Sequence, residues 1–213
     1  MRTQTAGAAN GLTQLGDHAG FLDALTTTLE AVGEKGPPVV LALIDLDWFG
    51  KYNAEAGEQA GDRVLARLSE LLGEHFASQG QVFRYGGDAF ALVLQDVEKE
   101  TVFLQLEALR KTFAGEAKEA GAGLSISVGL AAYPEDGARE NELIRRMNEA
   151  LYRAKVSGRD RICLARAEKM VTKTSHYGQG QLEGLSRLAK REGVNEAALL
   201  REALDDLLRK YNN

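Results

Sequence analysis

Apolar positions recur at helical spacing at the start of the chain: Phe21, Leu22, Leu25, Leu29 and Val32 follow Asp17, a residue suited to cap a helix, and Gly33 with Gly36-Pro37-Pro38 stops the run. Val39 to Leu46 is β-branched and almost wholly apolar, which predicts a buried strand. Val64, Leu65, Leu68, Leu71, Leu72 and Phe76 mark a second amphipathic helix. Gln81–Tyr85 and Ala89–Gln95 read as two short strands around Gly86-Gly87, a pair that accepts the positive φ angles of a tight turn. A third helix carries Val102, Phe103, Leu106, Leu109 and Phe113, and a strand runs from Leu124 to Ala131. The fourth helix carries Leu143, Met147, Ala150, Leu151 and Ala154, ends near Ser157-Gly158, and precedes a last strand, Arg161–Ala165.

This mixed order predicts an α+β fold, with helices packed on one face of a largely antiparallel sheet. From about Glu168 the pattern changes to a short polar strand-like run, Lys169–Tyr177, and two helical stretches broken at Glu192-Gly193. A βαα unit this short hides too little surface to fold alone, so it is expected to dimerise or dock. The division expected is 1–166 and 167–213.

Composition narrows the class. With 213 residues, 44% hydrophobic and 27% charged, the chain can bury one ordinary core plus a small module. Its longest apolar stretch, Val39–Ile44, is far below the roughly 18 residues of a membrane span, and no apolar leader follows Met1; a cytoplasmic protein without membrane contact is expected. The lone cysteine, Cys163, reads as a buried thiol without chemistry. A net charge of −5 leaves nucleic-acid binding to a local patch.

The candidate chemistry gathers at one strand end. Asp45 and Asp47 lie two apart and so share a face, and Asp88 follows the Gly-Gly turn and comes beside them if the hairpin pairs with that strand. Carboxylates so grouped suit a hard divalent cation. An exposed strand-end acid and a turn acid are the alternative. Trp48 reads as a packing residue beside this place.

Asp45-Leu46-Asp47-Trp48-Phe49-Gly50-Lys51-Tyr52-Asn53, Gly57, Gly61-Asp62 and Leu65, then Arg84-Tyr85-Gly86-Gly87-Asp88-Ala89-Phe90, resemble the GGDEF pattern of diguanylate cyclases. Leu12-Thr13-Gln14-Leu15 with Phe21 is similar to the family's opening segment, Ser125–Gly129 to its late strand, and Ala150–Lys155 with Gly158-Arg159-Asp160 to its closing motif. The resemblance spans about Asn10 to Leu164. It implies a ferredoxin-like nucleotide-cyclase palm and the joining of two GTP molecules into cyclic di-GMP.

By position, Asp45 and Asp88 are the implied catalytic and metal residues, holding Mg²⁺ (or Mn²⁺) for two-metal chemistry. Asn53 and Asp62 would hydrogen-bond guanine, and Lys155 and Arg159 would bind phosphate. Phe49, Lys51, Gly86 and Gly87 complete the implied nucleotide contacts. A Lys in a last helical turn is also an ordinary dipole and capping signature.

The pattern has departures. Ala89 stands where the family has Glu, and Gly50 where it has a phosphate lysine, with Lys51 adjacent. Ala54 replaces Asp, and Glu58 replaces His. The product-inhibition motif would need Arg and Asp at Ala77 and Gly80. Guanine-binding positions thus survive better than catalytic ones, which implies a domain that binds GTP or a related guanine nucleotide and turns it over slowly or not at all.

Tyr177–Asn195 and the helix through Arg201-Glu202-Ala203-Leu204 resemble ribbon-helix-helix proteins, whose paired strands enter the DNA major groove. The resemblance implies a homodimer and makes duplex DNA a candidate partner: Thr172, Thr174 and His176 on one strand face, and Asn195 as the cap of the second helix. Three functions follow: a guanine-nucleotide-responsive regulator of the attached dimer, an active diguanylate cyclase dimerised by the C-terminal module, and an adaptor whose fold only contacts proteins.

Overall fold

The computed structural model describes residues 13, 15–33, 36–166, 174–192 and 196–211. The chain forms two compact units, Met1–Ala167 and Glu168–Asn213. In the first, the elements run α1 (His18–Val32), β1 (Val39–Asp47), α2 (Phe49–Ala56), α3 (Glu58–Phe76), β2 (Gly80–Gly86), β3 (Ala89–Gln95), α4 (Lys99–Glu119), β4 (Ser125–Tyr133), α5 (Glu140–Val156) and β5 (Ile162–Leu164). Asp17 caps α1 as its residue type predicts, accepting from Gly20 N at 2.9 Å.

The five strands lie in the order β2-β3-β1-β4-β5. All pairings are antiparallel except β4 with β5. Because β1 is central, its alternate residues enter two different cores. Val40, Ala42, Ile44 and Leu46 pack with Leu68 and Phe76 of α3 and Leu106 and Phe113 of α4. Val39, Leu41 and Leu43 pack with Phe21 and Leu25 of α1 and Leu143 and Met147 of α5.

Helices therefore cover both faces, which corrects the expectation of one. The unbroken apolar run of β1 is the physical reason, since a strand wetted on one side alternates with polar residues. Gly129 on β4 makes the α5 side possible: a Cβ there would lie 2.2 Å from Met147 O and 2.3 Å from Leu151 N. That close approach brings the last turn of α5 over the end of β1.

Two other differences concern the short elements. Only Phe49 of the eight residues of α2 is buried, so this helix has almost no apolar periodicity and does not stand out from α3 in the sequence. Cys163 is half-buried rather than buried.

In the second unit, α6 (Gln179–Glu192) and α7 (Glu196–Tyr211) are the two expected helices. Residues 174–178 form no strand, and the rest of the expected Lys169–Tyr177 run, 169–173, lies outside the described residues. A ribbon strand of this kind takes its ladder hydrogen bonds from a second chain, so a lone chain offers it no partner.

Candidate nucleotide and metal site

The site is built on the C-terminal end of β1. Sheet register sets Asp45 opposite Ala89 of β3 and opposite Ser127 of β4. Leu46 N donates to Asp88 O at 3.3 Å, so the turn folds back along the strand end and Asp88 stands beside Asp45. The hairpin does pair with β1, the condition on which that juxtaposition depended. Gly86 and Gly87 take φ angles of 155° and 51°, which a side chain would resist. Arg84, buried beneath the turn, donates from Nη2 to Gly87 O and stacks over Phe90 at 4.7 Å. Burial lowers its pKa, while the charges of Asp88 and Asp62 work in the opposite direction.

Lys155, in the last turn of α5, donates from Nζ to Asp45 Oδ1 and lies 3.4 Å from Asp47 Oδ1. Burial pushes the Asp45 carboxyl above its usual range; Lys155 pulls it back, and the negative charges of Asp88 and Asp47 push it up again. Such a carboxylate gains from additional positive charge. Among the described residues no group of three or more His, Cys, Asp or Glu could hold a metal ion. Asp45 and Asp88 supply hard oxygen donors that fit Mg²⁺, an ion that commonly takes one or two carboxylates and fills its other positions with phosphate and water.

Asp47 has a different task from the one its spacing suggests. It is wholly buried and accepts from Ser125 Oγ at 2.8 Å, Ser127 Oγ at 2.8 Å and Asp160 N at 3.1 Å. The sequence grouped it with Asp45 and Asp88 as a carboxylate suited to a cation, and its hydrogen bonds to β4 and to the loop after α5 were not foreseen. The signal available was the Ser-x-Ser alternation of β4, which faces Asp47 only once the register is known. Arg159, with φ 62°, sets its guanidinium 3.9 Å from the centre of the Trp48 ring. Trp48 is 60% exposed, which overturns its reading as a packing residue: it is a surface platform for Arg159. Arg110 of α4 holds the same loop through Asp160 Oδ1 at 2.6 Å.

Asn53 of α2 and Asp62 of α3 flank the corner between their helices. Asn53 Oδ1 is buried with no hydrogen-bond partner among the described residues, and a Cβ on Gly61 would lie 2.0 Å from it. A buried acceptor left open is the arrangement a ligand donor would complete. Asp62 is exposed.

Lys51 does not take the place of the missing lysine. Two residues along a helix turn about 200°, so Lys51 and Asn53 leave α2 on opposite sides. Lys51 pairs with Glu55 at 3.8 Å and lines a separate hollow of about 270 Å³ with Trp48, Tyr52 and Leu124. A Cβ at Gly50 would meet nothing within 4 Å. The Phe49 ring belongs to the core and is turned away from the strand-end site, at the start of α2. In the C-terminal unit Thr174 and His176 are exposed, whereas Thr172 and Asn195 lie outside the described residues.

The profile of the diguanylate cyclase GGDEF domain matches residues 8–161. The chain belongs to the GGDEF family. A ribbon-helix-helix domain profile matches residues 179–212, so the second part of the architecture is that of a ribbon-helix-helix domain. Diguanylate cyclase DosC of Escherichia coli is 35% identical over 137 residues, covering 62% of this chain and 29% of that protein. Diguanylate cyclase DgcM of the same organism is 34% identical over 163 residues, 70% of this chain and 39% of that protein. The chain thus spans well under half the length of these relatives.

Among solved structures, the GGDEF domain of DgcB from Caulobacter crescentus, in complex with c-di-GMP, has a TM-score of 0.66 at 26% identity, covering 78% of this chain and 99% of that one. The active GGEEF domain of a diguanylate cyclase from Vibrio cholerae gives 0.61 at 28%, covering 71% and 95%. This GGDEF chain therefore has the α+β palm expected, and it is related to the enzymes of cyclic di-GMP signalling. Among the described residues no helix is long and apolar enough to cross a membrane.

Proposed function

We propose that this chain is a degenerate GGDEF domain that binds GTP or a related guanine nucleotide with Mg²⁺ (or Mn²⁺) and thereby regulates its ribbon-helix-helix module, which acts as a homodimer. The observation that carries this reading is an asymmetry at one strand end. Asp45, Asp88, Lys155 and Arg159 gather there, yet the position facing Asp45 holds the methyl group of Ala89. Alanine can neither take a proton nor ligate a cation.

In this reading Asn53 and Asp62 receive the guanine, the open Asn53 Oδ1 accepting from a base N–H. Lys155 and Arg159 take phosphate oxygens, and Asp45 with Asp88 hold the cation. The bound metal would neutralise triphosphate charge.

A second reading, an active diguanylate cyclase dimerised through its C-terminal module, is favoured by the retained Asp45 and Asp88 pair. Incubation of the purified chain with GTP and Mg²⁺, followed by mass analysis of the nucleotides, separates the two. Recovery of bound, unconverted GTP supports the degenerate reading, and turnover at about 1 s⁻¹ or faster overturns it. A protein that neither converts GTP nor binds GTP, GDP or cyclic di-GMP overturns both.

A further inference from the structure

We infer that Asp47 is a positioning residue that presets Lys155 and Arg159 for the phosphates of a nucleotide, with Trp48 as the outer wall of the arrangement. The inference rests on the nucleotide reading above, and it concerns a carboxylate that neither touches ligand nor holds metal in that reading.

Three observations carry it. First, a fully buried carboxylate is costly unless its oxygens are satisfied, and here they are. Oδ2 accepts from Ser125 Oγ and Asp160 N, and Oδ1 accepts from Ser127 Oγ. Donors from β4 and from the loop after α5 thus converge on one side chain of β1, locking three segments together.

Second, the two cations stand near Oδ1 without a short bond to it. Lys155 Nζ is 3.4 Å away and Arg159 Nε 3.9 Å. At these separations Asp47 attracts both cations while their hydrogen-bonding capacity stays largely uncommitted to it. Its charge holds them in place; Lys155 gives one donor to Asp45 Oδ1, and the remaining donors are left for another anion.

Third, the loop it holds is strained. Arg159 and Asp160 take φ angles of 62° and 47°, conformations that a residue other than glycine keeps only when its surroundings impose them. Asp160 N on Asp47, Arg110 on Asp160 Oδ1 and the Trp48 ring against Arg159 are those surroundings. Fixing side chains before the ligand arrives removes an ordering cost from binding.

The test uses Asp47→Asn in the full chain. The amide keeps the volume, removes the charge and replaces one acceptor by a donor, which meets either Ser127 Oγ, able to turn and accept, or Asp160 N–H, which cannot. Two readouts are taken. Affinity for GTP should fall roughly tenfold or more, the usual scale for losing an orienting partner, while affinity for guanosine, which has no phosphate, changes less than about twofold.

Trp48 is the sole tryptophan, so its quenching by acrylamide in the unliganded protein reports whether Arg159 still covers the ring. Arg159→Ala supplies the reference, and Asp47→Asn should move quenching in the same direction.

Quenching at the parent level overturns the inference whatever the nucleotide result. Altered quenching with unchanged GTP affinity also overturns it. A parent that binds neither GTP nor GDP or cyclic di-GMP defeats the nucleotide reading, and the quenching arm then decides separately whether Asp47 holds Arg159. If Asp47→Asn fails to fold, Ser127→Ala, which removes one bond to Oδ1 and keeps the charge, should give a several-fold change in the same two readouts; no change in either refutes the role.

Discussion

Ala89 faces Asp45 directly across the antiparallel ladder of β1 and β3. A carboxylate at position 89 would therefore stand beside the candidate metal carboxylates, at the start of β3 and next to Asp88 of the turn.

The first prediction follows from that pairing. Ala89→Glu should raise formation of cyclic di-GMP from GTP and Mg²⁺ by about tenfold or more, since a positioned acid–base group typically contributes a factor of about 10² to 10⁴. Chromatography of the product over time checks it. An unchanged rate would place the defect elsewhere, with Gly50 the next candidate.

The second concerns Gly61. Alanine at that position of α3 would favour the helix by about 1 kcal/mol on propensity alone, yet its Cβ would meet Asn53 Oδ1 at 2.0 Å and Phe49 Cζ at 2.9 Å. Asn53 must move, so Gly61→Ala should weaken guanine-nucleotide binding about tenfold while the chain stays folded. Calorimetry with GTP, beside a circular-dichroism melt, separates the two effects.

What could be read in advance divides by the distance over which each feature is determined. The Gly86-Gly87 turn, the Asp17 cap and the buried β1 are local statements of residue type, and they were legible. The two-sided cover of the sheet was latent in the unbroken apolar run Val39–Ile44, although the element order pointed to one face. The role of Asp47 was not legible, because its partners Ser125 and Ser127 lie 78 and 80 residues away and meet it only through sheet register. The stacking of Trp48 with Arg159 joins residues 111 positions apart, and no periodicity encodes that.

A third prediction tests the fold away from the site. Lys99, buried at the start of α4, pairs with Asp136 at 3.0 Å and Glu135 at 2.8 Å. Burial works against its charge, but the hydrogen bonds and charges of the two acids outweigh it, so its pKa is raised. Its contribution to stability is fully present below the unfolded lysine value of about 10.4 and disappears as pH rises through the higher folded value. Denaturant melts between about pH 8 and pH 12 should show this alkaline loss. Lys99→Met should cost about 3 kcal/mol at neutral pH, because Asp136 is left buried without its cation, and should lack this component of the alkaline loss.

The fourth prediction concerns assembly. Leu200, Leu204, Leu207 and Tyr211 of α7 recur at helical spacing, and all are exposed. A ribbon-helix-helix unit that leaves such a stripe in water needs a second copy, because so small a unit hides too little surface alone. The full chain should be a dimer at micromolar concentration by light scattering. Leu204→Glu with Leu207→Glu should give a folded, monomeric GGDEF domain; a dimer that survives both substitutions would refute the assignment of this face.

The last prediction is that the ribbon reads duplex DNA. Thr174 and His176 are exposed and alternate along the segment that precedes α6, and with Thr172 they would form one strand face. Hydroxyls and an imidazole can contact base edges, though with less discrimination than Arg or Gln. The electrostatic contribution is modest, because Glu183, Glu192, Glu196, Asp205 and Asp206 offset the basic residues of the module, and few counterions would be released. Binding should therefore be weak, only shallowly dependent on salt, and dependent on the dimer, with two half-sites related by its symmetry. Selection from random duplexes at low salt should enrich a palindromic or tandem site, and addition of guanine nucleotide should change its recovery if the GGDEF domain regulates the module. Thr174→Ala with His176→Ala should abolish the enrichment. No enriched site under either condition would leave the module as a dimerisation device, and an enriched site indifferent to nucleotide would separate DNA binding from the nucleotide reading.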